Sequence, residues 1–354
     1  MPRQEGEAAL DNFGGVVDWA RIDAWIATQD LPGSGPVTAA KLLVGGTQNN
    51  VILVERGGAK LVLRRPPARK RPESDATMRR EARILAALAG SAVPHPRFYA
   101  LCEDQSVIGC CFYFMEQLEG FAPSGPLPGS YGSDARWRRA MGEELVKAAA
   151  ELGSLDPQVI GLGDFGKPDN WHERQVSRWK SQLEGYRTLP GYAGNEPPHV
   201  EEVGRWLTDN LPRDRRIGLV HGDLHFGNVM YSLEGPRISG VIDWELSSLG
   251  DPMLDLGSIL TTWSEVGDPE GKTPTIAPWD GFLTRSELVR LYGDITGRDM
   301  SEMPWFFALA CFRLSCILEG THARAIAGLA PAELGDRMRR SSRWLMATAM
   351  QITS

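Results

Sequence analysis

The chain has 354 residues, 42% of them hydrophobic and 23% charged, with a formal net charge of -7. This is the composition of a globular protein with a sizeable buried core, and the negative balance excludes nucleic acid as a bulk partner. No run approaches the ~18 to 20 consecutive apolar residues that a bilayer span requires, and the opening MPRQEGEAALDNF has no basic or apolar leader segment, so a cytoplasmic protein without a membrane partner is expected.

Residues 1–117 carry 14 Lys and Arg against 13 Asp and Glu, while the remainder carries 24 against 32 and so holds a net -8. A near-neutral first part suits an anionic ligand and an acidic second part a neutral or cationic one, although an ordinary solubilising surface has the same balance. Five cysteines, Cys102, Cys110, Cys111, Cys311 and Cys316, sit in apolar surroundings with no C-x-x-C pair. They read as reduced core thiols.

The first part mixes strands with one main helix. Two β-rich runs, Val51 to Glu55 and Ala59 to Arg64, flank Gly57-Gly58, which is a hairpin signal because a primed turn needs positive φ. Ser74 to Gly90 places Met78, Ala82, Leu85 and Leu88 at helical spacing, with Gly90 as the stop. Two strand-like runs follow, RFYALCE and CCFYFMEQLEG, and the Pro/Gly/Ser-rich FAPSGPLPGSYGSD then marks a boundary. From Asp134 the pattern is helical over 134–153, 170–187, 198–210, 252–265, 285–296, 303–326 and 332–352, interrupted by a β-rich island from Ile217 to Trp244.

Two glycine-rich segments imitate nucleotide-binding loops. GLGDFGK, residues 161–167, fits G-x-G-x-x-G and also spells the kinase metal triplet DFG. A dinucleotide fingerprint needs a strand before it and a helix opening at its last glycine; here Pro157 precedes, KPDN follows, and the next helix starts near Asp169 or Asn170 as N-cap. GDPEGKT, residues 267–273, is one residue short of a phosphate loop and contains Pro269, so it reads as a surface loop.

The chemistry lies in LVHGDLHFGNVMYSLEGPRISGVIDWE, residues 219–245. His221-x-Asp223 is followed after four residues by Asn228, the spacing of the kinase catalytic loop, and Asp243 ends an apolar run 15 residues beyond Asn228. Phosphoryl transfer needs these types: a carboxylate, Asp223, to take the proton of the attacking hydroxyl, and hard oxygen ligands for Mg²⁺ on the phosphates of ATP, an amide at Asn228 and a carboxylate at Asp243. His221 reads as a buried strut of the loop and His225 as an exposed loop histidine, with contact to substrate or phosphate as its alternative. Because the metal aspartate of a kinase follows its catalytic loop, Asp164 of the DFG, 59 residues before Asp223, belongs to a turn between helices.

With HGDLHFGN, VIDWE and LGDPMLDLG together, the chain resembles the aminoglycoside phosphotransferase family of protein-kinase-like small-molecule kinases, over about residues 35–330. VLRRPP, ALCEDQSVIGCCFYFMEQLEG and GLGDFGKPDNWHERQ make it most similar to the kinase-like domains that precede acyl-CoA dehydrogenases. The resemblance implies an α+β bilobal fold with an antiparallel β-rich nucleotide-binding lobe at 1–117, a hinge and linker at 118–133, and a helical lobe at 134–354 carrying the catalytic loop and substrate site. It implies that Asp223 is the base, that Asn228 and Asp243 hold Mg²⁺, and that Gly45, Gly46 and Thr47, in the run Gly45 to Asn49, cover the phosphates of ATP. It places Met115 behind the adenine, the backbone of Glu116 and Leu118 at its edge, and Asp255 as a brace for the catalytic loop.

One departure is that Arg64 stands where the family has an ATP-contacting lysine, with Glu81 as its ion-pair partner. Residues 64–71, RRPPARKR, hold five basic residues that read as a solvated loop or as a site for a second anionic group. The function implied is transfer of the γ-phosphate of ATP to a hydroxyl of a small molecule. An aminoglycoside or other amine-bearing alcohol suits the acidic second part, a hydroxyacyl thioester of coenzyme A suits the branch and the basic cluster, and a nucleotide-binding module without turnover is the competing class.

Overall fold

The computed structural model describes residues 10–11, 13, 15–43, 49–68, 70, 72–194, 196–265, 268 and 276–353. The chain divides into two compact units, Met1–Gly120 with Ser239–Glu245, and Phe121–Ile238 with Leu246–Ser354.

The first unit opens with α1 (Trp19–Ile26), which the sequence reading missed although Trp19, Ile22 and Ile26 lie on one buried face and Asp18 accepts the Arg21 N–H as N-cap. Strands β1 (Ala39–Leu42), β2 (Asn50–Arg56) and β3 (Ala59–Arg65) follow, then α2 (Ser74–Ala87), β4 (Phe98–Cys102), the single turn α3 (Gln105–Ile108) and β5 (Phe112–Glu116). The five strands form one antiparallel sheet in the order β1-β2-β3-β5-β4. Gly57 and Gly58 join β2 to β3 with φ of 50° and 79°, the two positive values that the hairpin requires. One face of the sheet packs Ile52, Val54, Leu61, Leu63, Phe112 and Phe114 against α1.

The second unit contains β6 (Gly125–Pro126), α4 (Gly129–Ser133), α5 (Ala135–Ser154), α6 (Trp171–Tyr186), α7 (Val200–Asp209), β7 (Gly218–Val220) and β8 (Val229–Tyr231). After β9 (Ile238–Val241), which except for Ile238 belongs to the first unit, come β10 (Ser248–Gly250), α8 (Met253–Thr262), β11 (Ile276–Ala277), α9 (Arg285–Thr296), α10 (Met303–Ile326) and α11 (Ala332–Thr353). The seven expected helices are all present. The stretch expected to be a plain linker differs: it holds β6, paired with β11, and α4, whose Tyr131 is buried and donates to the Ser232 carbonyl at 2.6 Å. Asn170 does stand at the N-cap of α6, but with left-handed φ of 51° and no side-chain capping bond.

Helix α10 is apolar almost all round because other helices cover it. It has the length and composition of a membrane span, yet 72% of its most apolar stretch is buried, and the buried residues of the helix include Arg313, Glu319 and His322. The five cysteines are buried and none is in a disulfide, as expected, and burial pushes the Cys111 thiol up to about 12.

Helices α8 and α10 approach closely at Gly257, where an added Cβ would lie 2.7 Å from the Phe306 carbonyl oxygen. Replacing a helical glycine with alanine usually stabilises by about 0.8–1 kcal/mol, but overpacking costs about 1–3 kcal/mol. Gly257→Ala is therefore expected to lower the urea midpoint, whereas Gly185→Ala in α6, where nothing lies within 4 Å, raises it.

Candidate functional site

The catalytic-type loop joins β7 to β8 in the second unit, and β7 is held by antiparallel pairing with β10. Its first turn is tied to Asp255, in the first turn of α8, whose Oδ2 accepts the His221 N–H at 2.7 Å and whose Oδ1 accepts the Gly222 N–H at 2.8 Å. Gly222 has φ of 81°, and a Cβ there would stand 2.5 Å from the Leu246 carbonyl oxygen, so only glycine fits the turn. His221 is fully buried and its Nδ1 accepts the Asp223 N–H at 3.2 Å, the strut expected of it.

Asp223 is thereby pointed outward, with 32% of its side chain exposed. The Asn228 amide nitrogen donates to its carbonyl at 2.8 Å and to its Oδ2 at 3.0 Å. His225 is not the plain exposed loop residue expected from its position. Its Nδ1 accepts the Gly227 N–H at 3.0 Å, so the ring proton sits on Nε2, which faces Asp223 Oδ2 at 3.5 Å. Burial works to raise the Asp223 carboxyl, but the hydrogen bond from His225 and the charge of Arg313 overcome it and hold the group at about 2. Asp223 is therefore ionised at neutral pH.

A second polar cluster lies wholly within the first unit. Arg64, near the end of β3, places Nε 2.7 Å from Glu81 Oε2 and Nη2 2.8 Å from Asp243 Oδ1, so one guanidinium spans both carboxylates. Glu81 projects from the buried face of α2 and also accepts the Tyr113 hydroxyl at 2.7 Å. Burial lowers the pKa of Arg64, but Glu81, Tyr113 and Asp243 outweigh it and raise it above the ordinary arginine value. Asp243 is held at φ of 66°, the left-handed region that a non-glycine residue occupies only when its surroundings compel it. The Val241 N–H on the Pro94 carbonyl (2.8 Å) and the Trp244 indole on the Val241 carbonyl (3.0 Å) anchor the chain on either side.

The other expected nucleotide contacts fall differently. Gly45, Gly46 and Thr47 lie outside the described residues; Asn49, at the end of that loop, donates to Glu245 at 3.3 Å. Met115 lies in β5 opposite Val62, and the Glu116 N–H is spent on the Arg97 carbonyl at 2.8 Å, which leaves only its carbonyl for an adenine edge. Leu118 lies against Gly240, where a Cβ would come within 2.5 Å of its Cδ1.

The basic run is not a solvated loop where it is described: Arg64 and Arg65 are buried, Arg65 donates to the Val16 carbonyl, and Lys70 pairs with Asp75 at 2.9 Å. Arg69 and Arg71, and all but Asp268 of the 267–273 segment, lie outside the described residues. The GLGDFGK segment is a turn between α5 and α6, with Phe165 buried and Gly166 against Leu249. Sequence reasoning missed Tyr113, the role of His225, and Arg313, which comes to the loop from α10, 90 residues after Asp223 in the chain. No spacing rule connects residues so far apart.

Known proteins share the sequence family and the fold of this chain. The model of the phosphotransferase enzyme family matches residues 39–282. Mouse acyl-CoA dehydrogenase family member 10 is 33% identical over 290 residues, 80% of this chain but 26% of that protein. The probable acyl-CoA dehydrogenase IBR3 of Arabidopsis thaliana is 32% identical over 84% of this chain and 37% of its own length, so the chain spans well under half of both relatives. A solved structure from Ralstonia eutropha, named as a candidate aminoglycoside phosphotransferase, is 30% identical with a TM-score of 0.78, covering 94% of this chain and 98% of that one. The small antiparallel unit, the larger helical unit and the loop between β7 and β8 are thus those of a protein-kinase-like fold, and the chain belongs to the aminoglycoside phosphotransferase group of the phosphotransferase enzyme family.

Proposed function

We propose that the protein transfers the γ-phosphoryl group of ATP, in the presence of Mg²⁺, to a hydroxyl of a small molecule. The observation that carries this reading is the Asp223 carboxylate, kept ionised and oriented by Asn228 and His225 inside a loop with the family's sequence. Both neighbours engage Oδ2, so Oδ1 is the oxygen offered to a substrate hydroxyl. With its carboxyl held at about 2, Asp223 is a weak base, suited to orienting the hydroxyl and accepting its proton late. That matches a loose transition state in which the nucleophile keeps its proton until bonding is advanced.

The residues present fit Mg²⁺. The Asn228 amide nitrogen is committed to Asp223, which turns its oxygen to the other side, and Arg64 holds Asp243 by Oδ1, leaving Oδ2 as ligand atom. Both are hard oxygen donors of the kind Mg²⁺ takes in ones and twos beside phosphate oxygens. Bound there, the ion would supply neutralisation of phosphate charge. Arg64 would face the phosphates from the ion pair it makes with Glu81.

The acceptor follows two lines of support. The helical part of the chain is acidic, which favours an amine-bearing alcohol, while the curated relatives are named as acyl-CoA dehydrogenases, which favours a hydroxyacyl thioester. A second reading, nucleotide binding without turnover, draws on Arg64, whose guanidinium occupies an oxygen of a proposed metal ligand. Arg64→Lys distinguishes the two: lysine releases one of the two carboxylates, and a gain of turnover from an inactive wild type would identify arginine as the block.

Asp223→Asn is expected to lower kcat by at least ~100-fold, within the ~10² to 10⁴ typical of a positioned base, with Mg·ATP affinity by calorimetry little changed. Turnover at the wild-type rate would remove Asp223 from the mechanism. Asp243→Ala is expected to weaken Mg·ATP binding while circular dichroism stays native; unchanged affinity in the folded variant would mean Asp243 is not a ligand. His225→Asn keeps an oxygen able to accept the Gly227 N–H but is too short to reach Asp223. It is expected to reduce kcat with an unchanged KM for ATP, and His225→Gln, whose amide nitrogen reaches Asp223, to restore part of it. Equal kcat in all three proteins would reduce His225 to a cap of the turn.

A further inference from the structure

Six arginines are buried among the described residues: Arg56, Arg64, Arg65, Arg138, Arg298 and Arg313. Five of them spend guanidinium protons on protein acceptors. Arg56 donates to the Gly35 and Leu31 carbonyls, Arg65 to the Val16 carbonyl, Arg138 to Asp280 and Arg298 to Asp251. Arg64 has Glu81 and Asp243. Arg313, 6% exposed, donates to no acceptor among the described residues.

What surrounds Arg313 explains how a cation without a protein hydrogen-bond acceptor is tolerated and why its donors stay unspent. Its guanidinium lies over the buried ring of Trp179, 5.1 Å from the centroid. An aromatic face attracts the charge but takes no N–H bond, so the planar fork of donors remains available. Nη2 stands 3.4 Å from where a Cβ of Gly222 would be, against the residue that precedes Asp223. Burial lowers its pKa, Asp223 and Asp255 counter that by charge alone, and Arg178 adds repulsion. Arg178 is exposed and itself 5.0 Å over the Trp179 ring, so two guanidinium groups meet on one indole in a chain of net negative charge. A carboxylate or phosphate supplies acceptors in the planar arrangement that the fork matches.

We propose that Arg313 is the anchor for an anionic oxygen group, a carboxylate or a phosphate, carried by the alcohol whose hydroxyl meets Asp223, which makes the acceptor an acidic alcohol and disfavours an amine-bearing one. This rests on the phosphotransferase reading for the hydroxyl but not for the anion, which Arg313 holds whether or not transfer follows. Arg178 extends the same attraction to the surface. An ammonium group placed against Arg313 would meet like charge.

The test uses the full chain and four matched sets of three- to six-carbon ligands: ω-hydroxycarboxylates, ω-hydroxyalkyl phosphates, α,ω-diols and ω-amino alcohols. Calorimetry on the wild type is expected to show one of the two anionic sets bound at least ~tenfold more tightly than the diols and amino alcohols, as a charge-assisted bidentate contact implies. Which anionic set binds more tightly identifies the group. Arg313→Met is expected to abolish that ratio, and Arg313→Lys to keep a smaller preference through charge without the fork. The ratio between matched ligands is insensitive to a general loss of stability, and if Arg313→Met does not fold, a reduced ratio in Arg313→Lys carries the test. Equal or tighter binding of diols or amino alcohols, binding of neither anionic set, or an unchanged ratio in a folded variant overturns the proposal. ATP consumption on the same panel separates the two readings. An anionic preference without turnover leaves the anion site standing and removes the transferase; turnover of diols or amino alcohols without that preference does the reverse.

Discussion

One buried carboxylate organises the catalytic-type loop. Asp255 takes two backbone N–H groups, from His221 and Gly222, in the first turn of a helix, where a negative charge also meets the positive end of the helix dipole. Left without it, each buried N–H would cost about 1–3 kcal/mol. That cost keeps the turn closed, and the closed turn forces Gly222 into a left-handed conformation against the Leu246 carbonyl. His221 then lies in the interior and Asp223 points outward, toward His225 and Asn228. The exposed chemistry of the loop is thus the consequence of a hydrogen-bonded brace that never meets solvent.

In the first unit the corresponding constraint is a guanidinium between two carboxylates. Arginine suits this position because its fork reaches Glu81 and Asp243 at once, at 2.7 and 2.8 Å, where a lysine ammonium would be a single point of charge. Arg64 and Glu81 are buried with Tyr113 closing the far side, so breaking that pair would leave charge without a partner. Asp243 keeps its strained backbone under the same bond, and that strain is offset by Pro94 and Trp244 anchoring the flanking residues.

The elements legible in the sequence were those with a local cause. Gly57-Gly58 wrote the hairpin, the 3.6-residue apolar repeat wrote seven of the helices of the second unit, and Pro157 with KPDN ruled out a dinucleotide loop at GLGDFGK. The short helix α1 escaped because eight residues carry too few periodic positions to stand out, and α4 escaped because its Pro- and Gly-rich composition reads as a linker. The basic run 64–71 misled for a related reason: composition does not say that Arg64 and Arg65, at the end of a strand, turn inward to acceptors.

By itself, the sequence determined the family, the order of His221, Asp223, Asn228 and Asp243, and the kind of chemistry those types support, because each signal is a spacing within one loop or one strand. Only the tertiary structure decided that His225 faces Asp223, that Arg64 bridges Glu81 and Asp243, and that Arg313 arrives at the loop with its donors unspent. These meetings join residues on separate elements, up to 179 positions apart, and hydrogen bonds and charge act through a few ångströms of space and not along the chain.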